Sequence, residues 1–347
     1  MAVYTQLSKS DIDGFLADYD IGECGEPSGI IDGITNTNYL IPTHKNGVDT
    51  RYILTIFEKN TDEKDLPYFV GLMEHLSADK YRDHITCPRP IFNKSGKAIN
   101  ILKNKPALLV SFLDGFEQPW FFDEKFNAFR DDDTAEALGE LCARLHIYAK
   151  DYANKRENTL SLAGWKKIQG MLGSDLSKIN EDLEKAVSEE LEYLEKNWPK
   201  DLPSGAIHAD LFPDNVALVP VPIKGGRETK RKLQGVIDFY YACNDAWMYD
   251  VAICINAWGF DNNNVFQNSF VKAILYFYIQ ERENLGYPVS DAEFLALPIL
   301  CRAAAMRFLL TRARDWLSPA DGALVNRKDP MEYVRKLHFW QETGWKP

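Results

Sequence analysis

The apolar positions of this chain change rhythm about a third of the way along. In the first part they come in short, dense runs. Ile30 to Ile41 (IIDGITNTNYLI) places two apolar flanks around a small polar turn, which predicts a β-hairpin. Arg51 to Phe57 (RYILTIF) is a run of strong β-formers suited to a buried strand. Between Asp65 and Leu76 the residues Phe69, Leu72, Met73 and Leu76 recur at helical spacing and predict one helix. Arg89 to Phe92 and Ala107 to Phe112 read as two further strands, and the second ends abruptly at Leu113-Asp114-Gly115. That break predicts the end of a first unit.

Beyond it the period lengthens. Thr134 to Ala149 carries a stripe of Leu138, Leu141, Leu145 and Tyr148, with Asp133 or Thr134 as the N-cap. Asp175 to Trp198 repeats the pattern at Leu176, Ile179, Leu183, Val187, Leu191 and Leu194, and Pro199 stops it. Gly205 to His208 and Leu233 to Phe239 are strand-like, and helices fill the chain from Tyr249 onward. The apolar stretch Leu295 to Leu310 is broken by Pro298, Arg302 and Arg307, falls short of a membrane span, and predicts a buried helix. The expectation is an α+β chain of two lobes, residues 1–113 and 114–347.

Composition narrows the function. With 347 residues, 45% of them hydrophobic, the chain can bury a large interior. Its formal charge of -11 disfavours a polyanion-binding protein, because nucleic-acid affinity is driven by Lys and Arg at phosphates. The one basic run, Lys224 to Lys232 (KGGRETKRK), reads as a solvated hairpin or loop. Six scattered cysteines without a CxxC pair suggest reduced thiols. The N-terminus is acidic (Asp11, Asp13, Asp18, Asp20) and lacks a signal-peptide pattern, so a cytoplasmic protein is expected. Cys142 and His146 lie four apart on a helix, but without a second pair they suit core packing better than zinc. Trp120-Phe121-Phe122, Trp340 and Trp345 read as core or surface anchors.

The chemistry concentrates in Ile207 to Asn215 (IHADLFPDN) and Val236 to Phe239 (VIDF). Phosphoryl transfer needs a carboxylate to orient and deprotonate an attacking hydroxyl, and a divalent cation to neutralise the nucleotide. Magnesium takes oxygen ligands and keeps waters, so one carboxylate and one amide oxygen suffice. His208-x-Asp210-x4-Asn215 followed by a strand-end Asp238 supplies that set in kinase order: Asp210 as base, Asn215 and Asp238 as Mg2+ ligands. The alternative is a polar turn after a strand.

IHADLFPDN resembles the signature of the aminoglycoside phosphotransferase and choline kinase superfamily, which shares its fold with protein kinases. GITNTNYLI, YILTIFE, KPALLVSFLDG, HADLFPDNV, VIDFYYAC, YDVAICINAW and KDPMEYVRKL are similar to the homoserine kinases of that superfamily. The resemblance runs from Gly33 to Leu337, nearly the whole chain. It implies a protein-kinase-like fold, with a small antiparallel-sheet lobe carrying one main helix and a larger, mainly helical lobe. It also implies ATP as donor and the hydroxyl of a small molecule, L-homoserine, as acceptor, with no nucleic acid or membrane as partner. The oligomeric state is not legible.

Further roles follow from the resemblance. Gly33, Thr35, Asn36, Thr37 and Asn38 would cover the nucleotide phosphates, and Ser111, Phe112 and Leu113 would meet adenine. Glu74 matches the helix Glu that ordinarily pairs with a strand Lys, but Thr55 stands where that Lys is expected. Lys105 and backbone donors of the hairpin are then candidates for the α- and β-phosphates. Asp250 resembles an Asp that braces the catalytic loop. An acceptor carboxylate is best met by an Arg fork. Arg307, set in an apolar stretch, is the candidate clamp or else a buried ion-pair partner. Asp214 or Asp245 could receive the acceptor's amine, and His208 completes the expected acceptor-side residues.

Overall fold

Two hairpin turns with left-handed backbone organise the first sheet. Asn46 (φ 53°) and Gly47 (φ 80°) join β3 (Thr37–Lys45) to β4 (Val48–Ile56). Lys103 (φ 52°) and Asn104 (φ 61°) join β5 (Ile99–Leu102) to β6 (Lys105–Ser111). Two-residue turns with positive φ match the right-handed twist of antiparallel strands, which is why Asn and Gly sit there. The structure, a computed structural model, describes residues 4–30, 36–58, 62–81, 84–115, 130–222, 229–317 and 328–347. By contacts it divides into two compact units. The first holds the described residues to Asp114 except 84 and 85, and the second holds the rest.

In the first unit the antiparallel order is β1 (Glu23–Cys24), β3, β4, β6, β5, with β2 (Ser28–Ile30) also paired to β3. The predicted hairpin is thus β2–β3, Ile30 opposite Asn38. Alternation along β3 and β4 sends Tyr39, Ile41, Leu54 and Ile56 into a core shared with Leu102, Ala107 and Leu109. The helix α1 (Lys9–Leu16), started by a capping box of Ser8 and Asp11, adds Ile12 and Leu16 to it. The predicted helix is α2 (Leu66–Leu76), with Phe69, Leu72, Met73 and Leu76 buried. One strand is corrected. Arg89 to Phe92 runs beside β6, with a single bridge at Pro90, because Pro88 and Pro90 remove ladder donors. The regular strand is instead β5, too short for its pattern to show.

The second unit is mainly helical. The first helix, α3 (Asp132–Tyr148), is capped by Asp131, whose side chain accepts from the Thr134 N–H, and not by Asp133 or Thr134. Its Gly139 admits α7 (Asn268–Asn284): a Cβ there would meet the Ile274 carbonyl oxygen at 2.5 Å. The helix α4 (Leu162–Leu172) was not foreseen. The predicted helix Asp175 to Trp198 is divided into a 3-10 turn, Gly173–Lys178, and α5 (Leu183–Asn197). Between them the Asn180 side chain accepts from the Asp182 N–H, a local bond that competes with the helix. Two strand pairs follow: β7 (Ser204–Ile207) with β10 (Cys243–Ala246), and β8 (Val216–Pro222) with β9 (Thr229–Val236). β8 and β10 had no sequence counterpart. Residues 224–228 of the basic run lie outside the described residues, as do Trp120-Phe121-Phe122.

The helix α6 (Trp247–Trp258) is buried on all sides, and α8 (Asp291–Leu317) and α9 (Met331–Glu342) pack in series beyond it. By length and composition α8 could cross a membrane, contrary to expectation, and 67% of its most apolar window is buried inside the fold. Buried Asn256 ties the three together. Its Nδ2 donates to the Cys301 carbonyl (3.0 Å), while its own carbonyl accepts from Lys336 Nζ (2.8 Å) and its Oδ1 from Trp340 Nε1 (3.0 Å).

Lys336 and Arg312 both donate to Glu332, at 2.6 Å each. Burial alone would raise the Glu332 carboxyl, but the two cations hold it at about 2, well below 4.5. A carboxyl lowered in the folded state stabilises above its ordinary range, and this is lost as pH falls from about 4.5 towards 2. Glu332→Gln should therefore cost about 1–2 kcal/mol at neutral pH, allowing for partial exposure. Urea unfolding at pH 7 and pH 3 checks it: the gap should narrow in acid, and an equal gap at both would sink it.

Candidate active site

The loop after β7 turns on an unusual residue. Ala209 sits at φ 63°, a left-handed conformation that a residue with a Cβ adopts only when held there. Asp250, in the first turn of α6, supplies the hold: Oδ2 accepts from the His208 N–H at 2.9 Å and Oδ1 from the Ala209 N–H at 2.7 Å. Burial would raise the Asp250 carboxyl, but His146 and the loop donors keep it below its ordinary value. His146, fully buried on α3, reaches Asp250 through Nε2 (3.2 Å) and the Tyr278 hydroxyl through Nδ1 (3.2 Å). From the other side, Arg307 on α8 donates Nη1 to the Ala209 carbonyl at 2.6 Å. Both polar groups of the Ala209 backbone are thus fixed, and the next residue is Asp210.

Asn215, in the turn Pro213–Asn215, donates Nδ2 to the Asp210 backbone carbonyl (2.8 Å) and to Asp210 Oδ2 (3.0 Å). Its amide nitrogen is thereby spent, and Oδ1 remains as an oxygen donor. The β8–β9 register sets Val216 opposite Val236, and the Ile237 N–H donates to the Asn215 carbonyl at 3.0 Å. Asp238 follows directly, itself left-handed at φ 66°. The hairpin therefore brings Asp238 back beside Asn215, which accounts for their separation in sequence.

Burial pushes the Asp210 carboxyl up to about 6 against the opposing charge of Arg307. Burial, then the charges of Asp210 and Asp214, push Asp238 up to about 7. Buried carboxylates with further negative charge nearby favour a cation among them. The available donors, Asn215 Oδ1 and the Asp238 carboxylate, are hard oxygens of the kind magnesium takes. Among the described residues no three His, Cys, Asp or Glu side chains cluster as a metal cage.

Other expected residues are placed differently. His208 is buried and not free for an acceptor. Burial lowers its pKa and favours the neutral ring, whose Nε2 donates to the Ile237 carbonyl (2.9 Å) while Nδ1 accepts from the Asp210 N–H (3.2 Å). Arg307 is only 2% exposed; its Nη1 supports the loop at the Ala209 carbonyl, its buried Nε has no hydrogen-bond partner, and among the described residues no carboxylate forms an ion pair with it. Asp245 accepts from Asn158 Nδ2 and the Ala246 N–H, both at 2.7 Å, and burial raises its carboxyl. Asp214 accepts from Lys328 Nζ at 3.2 Å. Lys328 escaped the sequence reading because nothing in KDPMEYVRKL signals proximity to the loop.

Gly33 and Thr35 lie outside the described residues. Asn36 Oδ1 accepts from the Glu58 N–H (3.3 Å). Thr37 is fully buried, and its hydroxyl accepts from Tyr4 and Thr5 N–H and donates to Glu58, so its side chain is not available to a phosphate. Asn38 Oδ1 accepts from the buried Thr55 hydroxyl across the β3–β4 pair at 2.7 Å. Lys105 is paired with Glu58 and donates to the Thr5 hydroxyl, which removes it as a ready phosphate cation. Glu74 is exposed, with no described cation beside it. At the end of β6 the Ser111 N–H donates to the Arg89 carbonyl and the Phe112 N–H to that of Arg51, so Leu113 carries the next backbone donor.

Residues 27–285 match the phosphotransferase enzyme family. A homoserine kinase of Paramagnetospirillum magneticum is 43% identical over 341 residues, covering 98% of this chain and 97% of that one. One of Rhodospirillum rubrum is 43% identical over 339 residues, covering 98% and 96%. Among solved structures, choline kinase from Cryptosporidium parvum superposes with a TM-score of 0.66 at 14% identity, covering 97% and 96%. A spectinomycin phosphotransferase in complex with ADP and spectinomycin gives 0.60 at 16%, covering 96% and 94%. At such identities these structures speak to the fold alone, a two-lobed kinase-like α+β architecture. The chain therefore belongs to the phosphotransferase enzyme family, together with the homoserine kinases it matches along nearly its whole length.

Proposed function

We propose that this protein transfers the γ-phosphoryl group of ATP to the side-chain hydroxyl of L-homoserine, forming O-phospho-L-homoserine for threonine biosynthesis in the cytoplasm. The observation that carries the chemistry is the braced Asp210 beside Asn215 and Asp238. The acceptor rests on likeness of more than 40% along nearly the whole chain to proteins named homoserine kinase. Residues 1–113 form the nucleotide-binding lobe in this reading, with the hairpin around Gly33 to Asn38 over the phosphates and Ser111 to Leu113 at the adenine. Residues 114–347 form the catalytic lobe.

Asp210 holds the acceptor hydroxyl and takes its proton as the oxygen attacks the γ-phosphorus. The bond from that phosphorus to the bridging oxygen breaks, and ADP leaves with the electron pair. Magnesium, held by Asn215 and Asp238, would neutralise charge on the nucleotide phosphates. Asp250 and Arg307 keep the Ala209 peptide in place, so Asp210 is oriented before substrate arrives.

The test is ADP release with Mg-ATP and, separately, L-homoserine, choline, methylthioribose and kanamycin. Turnover should be selective for L-homoserine. Selective turnover of another acceptor would keep the mechanism and discard this substrate.

A further inference from the structure

Two positive charges act on Asp210, those of Arg307 and Lys328. Arg307 is enclosed, and its Nη1 donates to the Ala209 carbonyl. Lys328 is different. Its side chain is 44% exposed, its ammonium lies 5.5 Å from the centre of the Phe212 ring, and its partner is the 40%-exposed Asp214, four residues after the catalytic Asp210. An exposed pair of this kind holds itself together weakly, because water solvates both ions nearly as well as they solvate each other. It can therefore be parted at small cost by a ligand that offers each ion a new partner.

The reading of the acceptor as homoserine, on which this inference rests, supplies such a ligand. An α-amino acid carries an ammonium and a carboxylate on one carbon, the complement of an adjacent Asp and Lys. We propose that the Asp214–Lys328 pair opens to recognise the acceptor's zwitterion, Asp214 taking the ammonium and Lys328 the carboxylate. The hydroxyl at the far end of the acceptor's side chain is then free to reach Asp210. The pair is a specificity device: choline brings no carboxylate for Lys328, and a sugar brings neither charge.

The experiment uses three alcohols that differ only in these charges: L-homoserine, 3-aminopropan-1-ol without the carboxylate, and 4-hydroxybutanoate without the amine. Values of kcat/KM are measured for the full-length protein, with inhibition constants against homoserine replacing them where turnover is too slow. Lys328→Ala should lower kcat/KM for homoserine on the order of 10- to 100-fold, mainly through KM, the usual scale for losing a charged partner. It should weaken 4-hydroxybutanoate similarly and 3-aminopropan-1-ol far less, the small common loss reporting the Lys328 charge on Asp210. Asp214→Asn should show the reverse preference, and Lys328→Arg should recover most of the loss. An equal fall for all three alcohols would mean that the pair only supports the loop. An unchanged kcat/KM for homoserine would also overturn the proposal. Wild-type protein that turns over a different acceptor would instead overturn the homoserine reading itself, and this inference with it.

Discussion

Replacing Asp210 with Ala should lower kcat by about 10^2- to 10^4-fold, the range that a positioned general base contributes. Loss of activity alone would not separate chemistry from misfolding, but the electrostatics provide a second readout. A carboxyl raised from 3.8 to about 6 in the folded protein resists ionising there. Protonation favours the folded state, so this group costs stability once pH exceeds its unfolded value, and the full cost is present above its folded value. At pH 7 its removal should leave the unfolding free energy from urea titration unchanged or raise it, by at most about 3 kcal/mol. Asp210→Asn, which keeps the side-chain shape, should behave alike. An inactive variant that is also clearly destabilised would indicate that Asp210 holds the loop together, and the assigned role as base would fall.

Much of this site was legible because its chemistry is local. IHADLFPDN contains the turn, the proposed base and one proposed metal ligand within nine residues, and their types restrict what they can do. Asp238 was legible as a strand-end carboxylate, but its position beside Asn215 depends on β8, a strand whose alternation is interrupted by Pro220 and Pro222. Other supports were invisible because their partners are far away or are backbone. Arg307 meets a carbonyl 98 positions earlier in the chain, and no residue type announces a carbonyl as a partner. Thr37 was expected at the nucleotide from the resemblance to homoserine kinases. The Tyr4–Thr5 segment and Glu58 claim its hydroxyl instead. In the fold, long periodic segments were found and short ones were lost. The four-residue β5 and β10 give too few positions to establish a period, and Asn180 breaks a helix that the apolar stripe carries straight through.

Asp238→Ala should act on binding before chemistry. Its carboxyl, raised from 3.8 to about 7, is kept near the border of ionisation by burial and by the neighbouring Asp210 and Asp214 charges. A bound cation, which Asn215 and Asp238 would hold, would reverse that balance and favour the ionised form. Two changes should follow in thermal unfolding near pH 7. Without ligand, the variant should be as stable as the wild type or more so, because a carboxyl with a raised folded pKa opposes folding above its ordinary range. With Mg-ATP at about 100 times its dissociation constant, the wild type should gain about 2.7 kcal/mol, and the variant should lose most of that gain. ATP with EDTA should reduce the wild type's shift towards the variant's. An undiminished Mg-ATP shift in Asp238→Ala would remove it from the metal site and leave Asn215 without its partner ligand.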